Sequence, residues 1–194
     1  MNAKALLTCL LVIFVYSIGT CQIDSASTNL PYKDGKVIYE HIIEVPGSTK
    51  ATSYAAAKKW IADSFTSSKA VIQTEDIATG QIIGKGDLLV TLPKETSVWG
   101  FQGLVMSMSI QIDCKDDKFR VRIYDFRKRN PAVGMIAADE SSIESFDALM
   151  REQIRKKPNK KERWTILVKE INTKLFLLTL SLYKQVQSAA EDKF

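Results

Sequence analysis

Two periods organise the apolar positions of this chain. Between residues 36 and 45 (KVIYEHIIEV), Val37, Tyr39, His41 and Ile43 alternate with Ile38, Glu40, Ile42 and Glu44. A period of two built from β-branched and aromatic residues predicts a strand, and Pro46-Gly47 ends it. The period then changes. Tyr54, Ala57, Ile61 and Phe65 recur at helical spacing behind the capping residues Ser48-Thr49, which predicts a helix over about 50–65. Strand patterns return at 69–74 and from 82 to 92, where Gly84 and Gly86 predict a bulge or a close backbone approach. Leu104, Met106, Met108, Ile110 and Ile112 alternate with Val105, Ser107, Ser109 and Gln111. After a turn at Asp116-Asp117, Phe119, Val121, Ile123 and Asp125 fall on one face, and Arg120, Arg122, Tyr124 and Phe126 on the other. These two runs predict an antiparallel hairpin. Residues 127–140 read as a connection. Ser141 to Glu144 form a capping box before Ile143, Phe146, Leu149, Met150 and Ile154, a helix that ends near Lys157-Pro158. The last helix is the longest, 163–190, with Trp164, Val168, Ile171, Leu175, Leu178, Leu182 and Val186 on one stripe.

The amino terminus has a different grammar. Lys4 precedes an apolar stretch from Ala5 to Tyr16, and Ser17, Gly19 and Cys21 are small residues at the sites a signal peptidase requires. That layout predicts a secretory signal peptide over 1–21, with Gln22 first in the mature chain. The stretch is too short to span a bilayer, which takes ~20 apolar residues. Ile18-Gly19-Thr20-Cys21 also resembles a lipobox, although Thr20 stands where a smaller residue belongs, so a lipid anchor at Cys21 is the alternative. Residues 22–35 are polar and read as a flexible leader. The remainder, 36–190, reads as one domain. The chain is expected to be exported, periplasmic or secreted, and not transmembrane.

Composition adds little. Hydrophobic residues make up 45% and charged residues 25%, with a formal net charge of +5. That charge favours contact with anionic surfaces but falls far short of a nucleic-acid signature. Of three cysteines, only Cys114 follows the expected cleavage point, so it is expected to be a buried, reduced thiol. His41 is the only histidine, with no Cys or His nearby in sequence. Carboxylates gather at Glu75-Asp76, at Asp113, Asp116 and Asp117, and at Asp139-Glu140, all places where turns and helix starts recruit acidic residues. Gly80 to Asp87 lacks the glycine spacing and the hydroxyl of a phosphate loop. No catalytic, cofactor-binding or metal-ligating residue is nominated, and no cofactor is expected. Two surfaces are nominated instead. Arg127, Lys128, Arg129, Lys156 and Lys157 could meet an anionic surface. Leu175, Leu178 and Leu182 could meet a partner if the last helix is not covered by its own sheet.

The residues Val45-Pro46-Gly47, Lys59-Trp60-Ile61, Ile72 to Asp76, Gly80 to Gly86 and Lys118 to Asp125 resemble a family of secreted bacterial domains of unknown function with a TATA-binding-protein-like fold. The resemblance covers about 36–126. It implies an α+β, TBP-like fold: a curved antiparallel sheet of about five strands, helices packed on one face, and an extra long C-terminal helix. It implies no catalytic residues, and DNA binding does not follow from a fold name. The expected function is that of an exported, non-catalytic domain that binds a protein or envelope partner or contributes to envelope structure. An extracytoplasmic enzyme and an anchored lipoprotein are the competing readings.

Overall fold

The computed structural model describes residues 29–65, 71–91, 103–130 and 139–192. The expected signal peptide, Cys21 and the first part of the leader lie outside the described residues.

The chain opens with a small hairpin. β1 (Tyr32–Lys33) pairs with β2 (Lys36–Val37) around Asp34-Gly35, whose φ angles of 51° and 74° are both left-handed. Asp-Gly supplies the two positive-φ positions that a tight two-residue turn needs. β3 (Tyr39–Glu44) leads into α1 (Lys50–Ser64), whose first turn is capped by the Thr49 hydroxyl accepting from the Thr52 amide. β4 (Val71–Asp76), β5 (Gln81–Thr91), β6 (Gly103–Lys115) and β7 (Lys118–Asn130) form an antiparallel meander. β8 (Asp139–Ser142) precedes α2 (Ile143–Lys156), and a 3₁₀ turn at Pro158–Lys160 leads into α3 (Lys161–Glu191). Spatial order in the main sheet is β3-β7-β6-β5-β4, with β8 also paired to β7, so six strands are joined instead of the five expected.

α1 carries the chain from one edge of this sheet to the other across its inner face. There Met106, Met108, Ile110, Ile112, Phe119, Val121, Ile123 and Ile82 are buried. α3 packs along α1 and closes the same side, burying Val168, Ile171, Leu175, Leu182 and Val186. Trp60 of α1 donates its indole N–H to Ser181 Oγ of α3 at 2.8 Å. Burial of each such aliphatic side chain contributes ~1.5–3 kcal/mol.

Three local expectations are corrected. The leader is anchored from Leu30 onward, because Leu30 is buried and Tyr32 and Lys33 are already strand. β7 runs on through Arg127–Asn130, and β8 pairs with that extension, so both ends of the expected 127–140 connection belong to the sheet. Asp125 does not share a face with Phe119. Two residues, Asp125 and Phe126, oppose the single Met108, and Asp125 has a φ of 53°. The bulge turns Phe126 into the core, against Tyr39 edge to face, and turns Asp125 outward.

Candidate functional site

Helices cover one face of the sheet. Among the described residues nothing covers the other face, called the bare face below, and the strand register arranges its polar side chains in rungs. The first rung is Gln81, Asp113 and Arg120 across β5, β6 and β7. Asp113 Oδ1 accepts from Gln81 Nε2 at 2.8 Å, and Oδ2 accepts from Arg120 Nε at 3.0 Å and Nη2 at 2.8 Å. The second rung is Gln111, Arg122 and Glu40 across β6, β7 and β3. Arg122 Nη2 donates to Gln111 Oε1 at 2.6 Å, and its Nε lies 3.9 Å from Glu40 Oε2. Gln111 joins the rungs by donating to Asp113 Oδ1 at 2.9 Å. Lys33 Nζ extends the chain to Glu40 at 3.4 Å.

The bulge separates these rungs from two more. Arg127 lies 3.5 Å from Asp125 and 3.8 Å from Glu140, and Arg129 pairs with Asp87. Desolvation pushes the Asp113 carboxyl up. Hydrogen bonds from Gln81, Gln111 and Arg120, with the charge of Arg120, outweigh it and hold the group below the usual aspartate value. Charge-assisted bonds of this kind fix side-chain geometry before any ligand arrives.

Near the bulge the face is hollowed into a concavity of about 320 Å³, lined by Lys85, Ser107, Ser109, Asp125, Arg127 and Glu140 beside Met108. Among the described residues no group of three or more His, Cys, Asp or Glu could hold a metal ion.

The residues nominated from the sequence are dispersed. Leu175 and Leu182 are wholly buried and Leu178 packs partly against the core, so this stripe is withdrawn from a partner surface; the sheet and α1 already occupy it. The basic set does not form one patch. Arg127 and Arg129 project from the bare face into ion pairs. Lys128 alternates to the other side, where it is buried with its ammonium 5.1 Å from the centre of the Phe146 ring. Lys156 pairs with Glu152, and Lys157 caps the end of α2. The acidic turns separate by role. Asp116 accepts from the Lys50 amide and Asp117 from the Gly47 amide, both at 2.7 Å, whereas Asp113 belongs to the polar network. The legible signal for that network was the polar half of each alternation, 107–113 and 118–124. Cross-strand register, which brings those halves together, is set by the turns.

The sequence model of a family described as a domain of unknown function (DUF4468) with a TBP-like fold matches residues 39–129. Residues 39–129 are a domain of this family. The DUF4468 stretch runs from β3 into the end of β7 and contains both rungs built on Asp113 and Gln111; β8, α2 and α3 follow it. The chain is similar to the crystal structure of a DUF4468 family protein from Bacteroides ovatus, with a TM-score of 0.59 and 18% identity over 79% of this chain and 90% of that one. It is also similar to the crystal structure of a TBP-like protein from Parabacteroides distasonis, with a TM-score of 0.57 and 16% identity over 85% of this chain and 99% of that one. Both likenesses concern the fold. No curated protein matches the chain. No helix of the described residues is long and apolar enough to cross a membrane.

Proposed function

We propose that this DUF4468 domain is exported, is not an enzyme, and binds an envelope or secreted partner through the bare face of its sheet. The observation that carries the reading is the asymmetry of the two faces. One is filled by α1 and α3. The other presents Glu40, Arg122, Gln111, Asp113 and Arg120 already held by one another, so little ordering is left for a partner to impose. The non-catalytic part is supported by where the described thiol and the most strongly raised tyrosine lie. Burial, helped by the charge of Asp113, pushes the Cys114 thiol up to about 12, and burial alone raises Tyr39, so both are locked inside the core. The export part is supported by the layout of residues 1–21.

A photo-crosslinking residue at Ile42 tests the partner face, because Ile42 lies beside Arg120 and is 64% exposed. Leu177 on α3, at 53% exposed, is the control. A discrete adduct from position 42, lost with Arg122→Glu, is the expected result. Equal adducts from both positions, or none from 42, would overturn the reading. Amino-terminal sequencing of the protein recovered outside the cytoplasm is expected to begin at Gln22.

A further inference from the structure

Among the described residues, most charged side chains of this face are paired with one another, although Arg122 Nε is buried without a hydrogen bond. Asp113 receives donors from three side chains, Glu40 receives Arg122, Asp87 receives Arg129, and Arg127 sits between Asp125 and Glu140. The intervening rung consists of Lys85 on β5, Ser109 on β6 and Tyr124 on β7, which are direct register partners in turn. Neither the Lys85 ammonium nor the Ser109 hydroxyl has a partner among the described residues. Ser109 is only 6% exposed, so its hydroxyl is held in place by the packed strands around it. Both line the 320 Å³ concavity at the bulge. Asp125 holds its left-handed backbone there, a conformation that costs energy for a residue other than glycine.

We propose that this concavity binds a small monocarboxylate, with Lys85 Nζ and Ser109 Oγ as the donors to the carboxylate. Direct cross-strand partners place their β-carbons ~5 Å apart, so an ammonium and a hydroxyl can converge on one anion. The opposite wall determines the rest of the ligand. Asp125 and Glu140 are acceptors shared by the single guanidinium of Arg127, and they suit a hydroxyl or an ammonium. A second carboxylate would meet those two acids and be repelled. The class is therefore a monocarboxylate bearing hydroxyl or amino groups, the chemistry common to sugar acids and amino acids. A volume of 320 Å³ falls at the small end of ligand sites, consistent with a single sugar or amino-acid unit. This inference does not rest on the partner reading, because the ligand would bind the isolated protein.

Amide NMR titration of the exported protein with D-glucuronate, L-alanine, succinate and D-glucose tests it. Glucuronate or alanine is expected to shift amides at 107–109 and 124–127, and whichever of the two binds identifies the source of the carboxylate. Glucose and succinate are expected to leave those amides unmoved. Lys85→Met is expected to weaken binding by about tenfold or more through loss of one charge-assisted hydrogen bond, with an unchanged melting temperature because Lys85 is exposed. If Lys85→Met disturbs the fold, Lys85→Gln removes the charge with less change of polarity. The proposal is overturned if neither carboxylate shifts these amides, if glucose shifts them equally, or if a folded Lys85 variant binds like the wild type.

Discussion

Gly86 shows how one missing side chain sets the packing of the sheet on its helices. A β-carbon at this position would lie 2.6 Å from the Phe65 ring, which itself packs edge to face on Trp60. The glycine lets the end of α1 settle directly on the backbone of β5. Gly86→Ala is therefore expected to destabilise the fold by ~1–3 kcal/mol through overpacking. Combined with Phe65→Ala, the cost of the alanine should largely vanish, because two residues in contact are not additive; denaturant titration of the four proteins measures it. Cys114 is a second residue whose neighbours decide its chemistry. With its thiol pushed up to about 12 and no exposed surface, it is expected to resist bulky thiol reagents at neutral pH until the protein unfolds. His41 makes stability depend on pH. Burial lowers its value below 6.5, against a smaller upward pull from Glu40, and its Nε2 is buried without a hydrogen bond. The unfolded chain therefore takes up this proton before the folded one does. The histidine's contribution is expected to be flat above 6.5, and stability to fall as pH drops from 6.5 toward the lower folded value. His41→Gln should flatten that slope in thermal melts between pH 7.5 and 5.5 (about one unit either side of an ordinary histidine).

At the scale of elements, α3 is the test of whether the sheet needs its last helix. Leu175 is fully buried against the core, and Leu175→Ala is expected to cost ~2–5 kcal/mol by leaving a cavity. Leu175→Asp would bury a charge with no partner and should abolish cooperative melting. A small change from either substitution would show that α3 packs loosely. The same helix shows what was legible in the sequence. Its stripe of seven apolar positions fixed both its extent and its buried face, since a 3.6-residue period survives whatever the rest of the chain does. The central strands were legible for the same reason. The short ones were not. Tyr32–Lys33 and Asp139–Ser142 are too brief to show a period, and they are strands because β2 and β7 offer them backbone partners. The Asp125 bulge was hidden as well. Strict alternation carried on past Ile123 places Phe126 outside, and only the extra residue opposite Met108 returns it to the core. The polar network was half legible: each strand displayed its own polar positions, but Asp113, Arg120 and Gln81 are distant in sequence and meet only once three strands are in register.

For the molecule as a whole, the amino-terminal segment and the C-terminal helices hold each other. Tyr32 donates to Asp147 Oδ2 at 2.7 Å, and Arg151 Nε donates to the same oxygen at 2.9 Å. Asp147 is 2% exposed, and both donors meet the same one of its two oxygens. Burial, then the hydrogen bond to Asp147, pushes the Tyr32 hydroxyl up to about 12, which keeps it protonated and donating at every physiological pH. The Val37 amide donates to Glu144 Oε1 at 2.9 Å, and Tyr39 hydrogen-bonds Asn172 on α3. Apart from the Arg151–Asp147 pair, these contacts join residues more than a hundred positions apart. They also lie at the ends of, or outside, the 39–129 stretch shared with the family, so they belong to the way this chain closes its domain. A chain that starts at Asn29 keeps all of these contacts and is the reference. One that starts at Lys36 loses the buried Leu30 side chain, worth ~1.5–3 kcal/mol, and the Tyr32 bond to a buried carboxylate, worth ~1–3 kcal/mol. At ~2–4 °C per kcal/mol for a domain of this size, its melting temperature is expected to fall by roughly 10 °C. Tyr32→Phe in the longer chain should reproduce part of that fall without shortening anything. If both shortened chains melt alike, residues 29–35 carry no stability, and α2 is held by the sheet alone.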